Sequence, residues 1–294
     1  MTSAFTGLLT YPITPLGDDG DPDLDALEGL VAGAAAAGAD GIVVLATSGA
    51  GVSFDEAERD AVVRTAIAAA GSVPVHVGVA GESAHRVVAR ARAARDAGAA
   101  GLVLPPFAYL PPDEAEVRAL YARAAAAVPG LPVCCYNKPV QLGFDVSAAL
   151  LGALASDGSV AAVKDPASLP DRPRGRVAEL HAGAPGVAVG LSGDAALVGG
   201  AEPADAWHTG LAALAPTEYA AVRRDRVAGT DVARPARDWL LDVARAVAAT
   251  GRPVTALHAV AALLGTPTAP PRDALVPLTP ADAAALRDAV SRRP

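Results

Sequence analysis

Short apolar segments bounded by turn residues alternate along the chain with longer alanine-rich stretches of helical period. The apolar segments predict eight strands, and the stretches between them predict seven helices. Because most of these strands are apolar without interruption, the pattern is typical of a parallel sheet that helices cover on both faces. The predicted strands span residues 7–10, 41–45, 73–77, 101–104, 133–136, 160–164, 187–191 and 204–209. The predicted helices between them span residues 24–37, 54–70, 84–97, 113–127, 147–156, 174–182 and 195–199.

Eight consecutive strand–helix units match the size of a (β/α)8 barrel. An open doubly wound sheet is the competing architecture, but neither GxGxxG nor GxxxxGK[ST] follows the first strand. After about Thr217 the pattern predicts helices only, at residues 218–228, 233–250, 253–264 and 280–291. We therefore predict an α/β fold in which residues 1–225 form a TIM barrel. Residues 226–294 are predicted to form a C-terminal helical extension packed on the barrel.

Composition and charge narrow the function classes. The chain is 52% hydrophobic, which suffices for a large core, and its net charge of −8 argues against nucleic acid or an anionic membrane as a partner. No secretion signal opens the sequence and no apolar run approaches the twenty or so residues of a membrane helix, so we expect a cytoplasmic protein. Cys134 and Cys135 are adjacent in a predicted strand and therefore point to opposite faces, which favours two reduced, buried thiols.

Lysine is almost absent from this chain. Arginine supplies nearly all of the positive charge, and the only lysines are Lys138 and Lys164. An amine can lose its proton near neutral pH and attack a carbonyl carbon, whereas a guanidinium cannot. The two retained lysines therefore indicate places where an amine is needed, without indicating which of them reacts.

Chemically reactive side chains follow several of the predicted strands, and active sites of TIM barrels lie at the carboxyl ends of the strands. Strand two runs into Thr47 and Ser48, strand five ends at Tyr136, strand six ends at Lys164 and strand eight contains His208. Lys164 follows a run of small apolar residues, where desolvation would favour the neutral amine that attacks ketones. The alternative is a lysine at the barrel rim, paired with a carboxylate such as Asp165.

Several segments, taken in order, resemble the dihydrodipicolinate synthase / N-acetylneuraminate lyase family. The resemblance runs from about Gly7 to Pro216 and is carried by GLLTYPITP, GIVVLATSGAGVSFDEAER, VPVHVGVAGES, GLVLPP, LPVCCYNKP, VAAVKDPAS and GVAVGLSGD. Its most specific parts are the YNxP segment and, one strand–helix unit later, a lysine followed by an acidic residue. The resemblance implies a class I lyase or aldolase that is a dimer or a dimer of dimers.

Roles for individual residues follow from that resemblance. The lysine matching Lys164 forms a Schiff base with pyruvate or another 2-keto acid, and the tyrosine matching Tyr136 relays protons. Thr47 would connect Tyr136 to that relay, while Ser48 and Gly49 with their backbone N–H groups would bind the substrate carboxylate. The family implies no cofactor beyond the substrate imine, and the sequence contains no metal-binding motif.

Departures from the family pattern bear on specificity. Gln141 stands where true dihydrodipicolinate synthases have a carboxylate-binding arginine, which argues against that activity. Ala50 replaces a glutamate, and Ala108 replaces a second tyrosine, for which Tyr109 is a possible substitute. A keto-acid-binding protein without catalysis is the alternative function, and a dehydratase on a sugar-derived keto acid uses the same imine.

Histidines and Lys138 leave further alternatives open. His208 either acts on the acceptor half of the substrate or is a packed, hydrogen-bonded residue. Lys138 either contacts an anionic acceptor group or faces solvent. His76 is interpreted as an interior residue with satisfied hydrogen bonds. Three further histidines are predicted on helix surfaces, namely His85, His181 and His258.

Overall fold

The computed structural model describes residues 4–106, 110–167, 169, 174–272 and 275–294. Within those residues, eight parallel strands close into a barrel in chain order, as predicted. The strands are β1 (Gly7–Thr10), β2 (Gly41–Val44), β3 (Val75–Gly78), β4 (Gly101–Leu104), β5 (Val133–Tyr136), β6 (Ala162–Pro166), β7 (Ala188–Ser192) and β8 (Ala206–Thr209). The barrel closes through pairing of β1 with β8, in which Leu9 lies opposite His208.

Helices follow the strands and cover the outside of the barrel. They are α1 (Leu24–Ala36), α2 (Glu56–Ala69), α3 (Ala84–Ala97), α4 (Glu114–Ala127), α5 (Pro139–Leu142), α6 (Ala148–Ser156), α7 (Arg176–Gly183) and α8 (Asp194–Gly199). Side chains placed as N-caps explain several of the starts. Asp55 and Asp113 each form a capping box with the glutamate three residues later, which satisfies backbone N–H groups that have no partner inside the helix.

The C-terminal extension consists of helices that lie against the barrel. A 3-10 helix (Leu211–Ala213) leads into α9 (Pro216–Ala228), α10 (Arg234–Ala249), α11 (Pro253–Leu263) and α12 (Pro280–Ser291). Arg272 ties the segment before α12 to the barrel, because its guanidinium donates to the Gly20 and Ser53 carbonyls and pairs with Glu58. Among the described residues, no helix is both long enough and apolar enough to cross a bilayer.

Two layers of apolar side chains fill the molecule. One lies between the strands and the helices, and the other fills the barrel interior. Alternation along each strand decides which residues belong to which layer. Cys135 therefore lies in the outer layer and Cys134 in the inner one, and both are buried free thiols. The inner layer contains Phe5, Leu9, Tyr11, Val43, Ala46, Val103, Cys134, Tyr136, Ala162, Ala188 and Ala206.

One of the predicted histidine environments is wrong. His258 is buried, not on a helix surface, and its Nδ1 lies 3.0 Å from the Thr268 hydroxyl. The face of α11 that carries His258 packs against the segment after that helix, which the apolar periodicity alone did not reveal. His76 is interior, as interpreted, and its ring packs on Phe5, with the two centroids 4.3 Å apart.

Candidate active site

Lys164 lies inside the barrel near the carboxyl end of β6. Only 5% of its surface is exposed, and its Nζ lies 3.7 Å from the centroid of the Tyr11 ring and 3.9 Å from that of Tyr136. The two rings come from β5 and from the segment immediately after β1, so two parts of the barrel wall enclose one amine. Aromatic faces attract a cation, so this arrangement suits an amine that becomes a charged iminium.

Burial favours the neutral form of the Lys164 amine. Loss of water around Lys164 lowers its pKa from 10.5 to about 7, although Cys134 and Asp194 act in the opposite direction. An amine with such a pKa is in large part neutral at neutral pH, which is the nucleophilic form. The next residue along the strand, Asp165, points to the opposite side, where it pairs with Arg176 at 3.5 Å. The alternative of a rim lysine paired with Asp165 is therefore wrong.

Tyr11 and His208 form a buried pair beside the lysine. The Tyr11 hydroxyl lies 2.6 Å from Nδ1 of His208, and both side chains are almost fully buried. Burial, followed by the charge of Lys164, lowers the pKa of His208, so its imidazole is neutral. Gly190 on the neighbouring strand makes room for this ring, since a Cβ there would lie 2.1 Å from Nε2. His208 is thus packed and hydrogen-bonded, and it also lies near enough to Lys164 to feel its charge.

The turn after β2 is held in a strained conformation. Leu45 has a φ of 58° and Ala50 a φ of 46°, which non-glycine residues rarely adopt and which are frequent at functional sites. Arg59 stabilises the turn from beneath, because its guanidinium donates to the carbonyls of Gly51 and Gly78. The hydroxyl of Thr14 donates to the Gly49 carbonyl at 2.9 Å. These bonds fix the segment that contains the three predicted turn residues of the site.

Within that turn, Thr47 differs from its predicted contact. Its hydroxyl accepts a hydrogen bond from Lys138 Nζ at 3.0 Å, and no bond to Tyr136 is present among the described residues. The reason is that Thr47 lies on the exposed side of the turn, where the lysine after β5 reaches it. Ser48 is half-buried and its hydroxyl lies against Gly210 after β8.

A cavity of about 470 Å³ opens at the carboxyl ends of the strands, beside these residues. Gln141 and Leu142 of α5 form part of its wall, and Val254 and Leu275 of the C-terminal extension form another part. Tyr136 lines this cavity, and its ring also contacts the Lys164 amine. The walls are mainly apolar; the complete lining is Leu45, Ala46, Thr47, Ala50, Gly51, Val52, Ser53, Gly78, Ala80, Val103, Pro105, Tyr136, Lys138, Gln141, Leu142, Val254 and Leu275.

Several side chains of the site were not assigned from the sequence. Tyr11 belongs to the segment GLLTYPITP, but only the closure of β1 on β8 brings its side chain to His208. Asn137 links the end of β5 to β6 and to the segment before α6, since its amide donates to Asp165 and to Asp145 at 2.7 Å each. Ala108 and Tyr109, which bear on the second tyrosine of the family, lie outside the described residues.

Comparisons of the sequence with known proteins find relatives that cover most of the chain. A sequence model of the dihydrodipicolinate synthetase family matches residues 4–293. The 4-hydroxy-tetrahydrodipicolinate synthase of Xanthomonas campestris is 36% identical over 194 residues, which cover 65% of this chain and 62% of that enzyme. The synthase of Sorangium cellulosum is 36% identical over 163 residues, or 54% of each chain. The alignments therefore span less than two thirds of the length of these relatives.

Solved structures match over a longer range. A dihydrodipicolinate synthase from Agrobacterium tumefaciens superposes with a TM-score of 0.90 at 26% identity and covers 99% of each chain. A prophage protein of the dihydrodipicolinic acid synthase family from Escherichia coli, solved in complex with pyruvate, gives a TM-score of 0.84 at 24% identity over 98% of each chain. Because the prophage protein is only 24% identical, its likeness to this chain shows the fold alone.

Proposed function

Because this chain belongs to the dihydrodipicolinate synthetase family, we propose that it is a class I lyase in which Lys164 forms a Schiff base with a 2-keto acid. The observation that supports this most directly is the buried amine of Lys164, whose pKa is lowered to about 7 between two tyrosine rings. The neutral Nζ attacks the keto carbon, and the carbinolamine then loses water to give an iminium. The iminium withdraws electrons from the neighbouring bond, so a carbon–carbon bond or a leaving hydroxyl can break beside it.

Tyr136 is proposed to carry protons to and from the carbinolamine oxygen. Its ring contacts the Lys164 amine and borders the cavity, so its phenol is near both the nucleophile and the place of the substrate. Thr47 is proposed to act together with Tyr136 through Lys138, which bridges the two by its hydrogen bond and its contact with the ring. Ser48 and Gly49 are proposed to bind the keto-acid carboxylate with the backbone of the strained turn.

We further propose that condensation of pyruvate with aspartate semialdehyde is not the reaction, although curated relatives carry the synthase name. Gln141 lies in the cavity wall, and among the described residues no arginine does. A glutamine gives no charge-assisted bond to a carboxylate, and Lys138, the cation in the described lining, lacks the planar, two-pronged geometry of a guanidinium. Mixing the purified protein with both substrates should give no useful rate, and a robust synthase rate would contradict this assignment.

The Schiff base itself is testable by trapping. Borohydride added with pyruvate should reduce the imine to a secondary amine and leave a covalent adduct on the peptide that contains Lys164. With only two lysines in the chain, Lys138 is the internal control for mapping. Both Lys164→Ala and Lys164→Arg should abolish the adduct, since a guanidinium stays protonated. If no 2-keto acid gives an adduct, the barrel binds keto acids without catalysis or serves another function.

A further inference from the structure

Both lysines of the chain lie at one tyrosine ring. Lys138 Nζ is 5.3 Å from the centroid of Tyr136, and Lys164 Nζ is 3.9 Å from it. The two amines are 26 positions apart in the sequence, and the pairing of β5 with β6 brings their strands side by side. One amine is buried behind the ring, and the other is partly exposed at the wall of the cavity.

Lys138 has no acidic partner in the part of the chain that the structure describes. Among the described residues no carboxylate lies within ion-pair distance of its amine, and its hydrogen-bond partner is the neutral Thr47 hydroxyl. This is unusual in a chain of net charge −8, in which many arginines are paired with aspartate or glutamate. Burial, together with the nearby Lys164 amine, lowers the pKa of Lys138. A partly desolvated ammonium group without a counter-ion is unfavourable, so the site favours the binding of an anion.

Lys138 is also the one lysine or arginine in the described lining of the 470 Å³ cavity, which contains no aspartate or glutamate. Most of the other lining residues are apolar, so an anion there would find one defined electrostatic partner. A cavity of this size holds a small organic ligand longer than pyruvate. The neighbouring Gln141 could donate to the same group but brings no charge.

We propose that Lys138 binds the terminal carboxylate of a dicarboxylic 2-keto acid whose keto carbon reacts at Lys164. The inference rests on the proposed Schiff-base function and specifies its substrate class. The first carboxylate of the ligand remains at the turn of Ser48 and Gly49. The ligand extends past the edge of Tyr136 into the cavity, where its second carboxylate meets the Lys138 ammonium group.

Matched keto acids test this assignment by borohydride trapping at low ligand concentration. The probes are 2-oxoglutarate against 2-oxopentanoate and 2-oxoadipate against 2-oxohexanoate, so each pair has equal carbon number and differs in the terminal carboxylate. The wild-type protein should be labelled about ten- to a hundredfold faster by the diacid of at least one pair, as expected for one charge-assisted bond. Lys138→Gln should reduce this ratio to near one, and Lys138→Arg should retain most of it.

The ratio separates the proposed role from other roles of Lys138. An effect on the Lys164 amine or on the first carboxylate would slow both members of a pair equally and leave the ratio unchanged. Arg64→Gln, which removes an exposed cation far from the cavity, is the control and should keep the wild-type ratio. Equal labelling of diacid and monoacid in the wild type, or an unchanged ratio in Lys138→Gln, overturns the proposal. Absence of any adduct with all four acids, while pyruvate is trapped, also overturns it, whereas absence of an adduct with pyruvate as well would refute the Schiff-base function.

Discussion

Replacing Lys164 by methionine should stabilise the folded protein at neutral pH. The wild-type amine is buried and its pKa falls from 10.5 to about 7, so folding either removes its proton or buries a charge. Methionine has a similar length, is apolar and fits irregular spaces, so it avoids this penalty. The difference in the free energy of unfolding between this variant and the wild type shows whether the lysine lies in an environment that disfavours its charged form.

The magnitude follows from the pKa difference. Each pKa unit corresponds to about 1.4 kcal/mol, so the shift of Lys164 gives an upper bound of about 4 kcal/mol at pH 7. Because methionine also loses the contacts of the amine with the rings, we expect a gain of about 2–4 kcal/mol. Between pH 7 and 10.5 the unfolded chain binds a proton that the folded chain lacks, so wild-type stability rises with pH there. The advantage of the variant should therefore be full below that window and shrink to under about 1 kcal/mol by pH 10.

Urea unfolding followed by circular dichroism at pH 7 and pH 10, at one protein concentration, measures both quantities. Lys138→Met is the matched control because this lysine is only partly buried, and its effect should be clearly smaller. The reasoning fails if Lys164→Met is less stable than the wild type at pH 7. It also fails if the stability difference is the same at both pH values, since Lys164 would then be an ordinary ammonium group.

The remaining predictions concern Lys164 and its neighbours. The rate of pyruvate trapping should rise up to about pH 7 and level off above it, whereas a rise continuing to pH 10 would show that the pKa of Lys164 is not lowered. Tyr11→Phe keeps the ring but leaves Nδ1 of buried His208 unpaired, which should cost about 1–3 kcal/mol in urea unfolding; adding His208→Leu should recover part of it, and a purely additive loss would argue against the pair. Gly190→Ala should lower the melting temperature because its Cβ meets the His208 ring, and a His208→Ala background should relieve most of that loss.

Most of the fold could be predicted because its signals are local. Turn residues bound each apolar run, so the strand ends Thr10, Leu104 and Tyr136 agree with the sequence pattern. The helix Pro139–Leu142 was missed because four residues are too few to show a helical period. Lys138 stands two residues after Tyr136, so alternation along the strand predicts both side chains on the inner side, and both line the cavity.

The burial of Lys164 could be predicted from the sequence, whereas its surroundings could not. A lysine after small apolar residues at a strand end suffices to indicate a desolvated amine. The contact of Tyr11 with His208 joins residues 197 positions apart, and it depends on the register with which β1 closes on β8. Thr47 was assigned to Tyr136 by family precedent, but its observed hydrogen-bond partner is Lys138. Such long-range pairs depend on strand register, which no local pattern specifies.

The two imidazoles inside the barrel, those of His76 and His208, make the folded state less stable at low pH. His76 fills the space that a Cβ on Gly101 would occupy, and its burial lowers its pKa from 6.5 to about 4, while that of His208 is lowered as well. Below about pH 6.5 the unfolded chain binds protons on these rings that the folded chain does not bind. The free energy of unfolding therefore declines as the pH falls. For His76 alone the decline reaches about 3 kcal/mol near pH 4, a sizeable part of the stability of a typical domain. The burial that lowers the pKa of Lys164 to about 7 thus has a counterpart in these histidines, which makes the barrel less stable in acid.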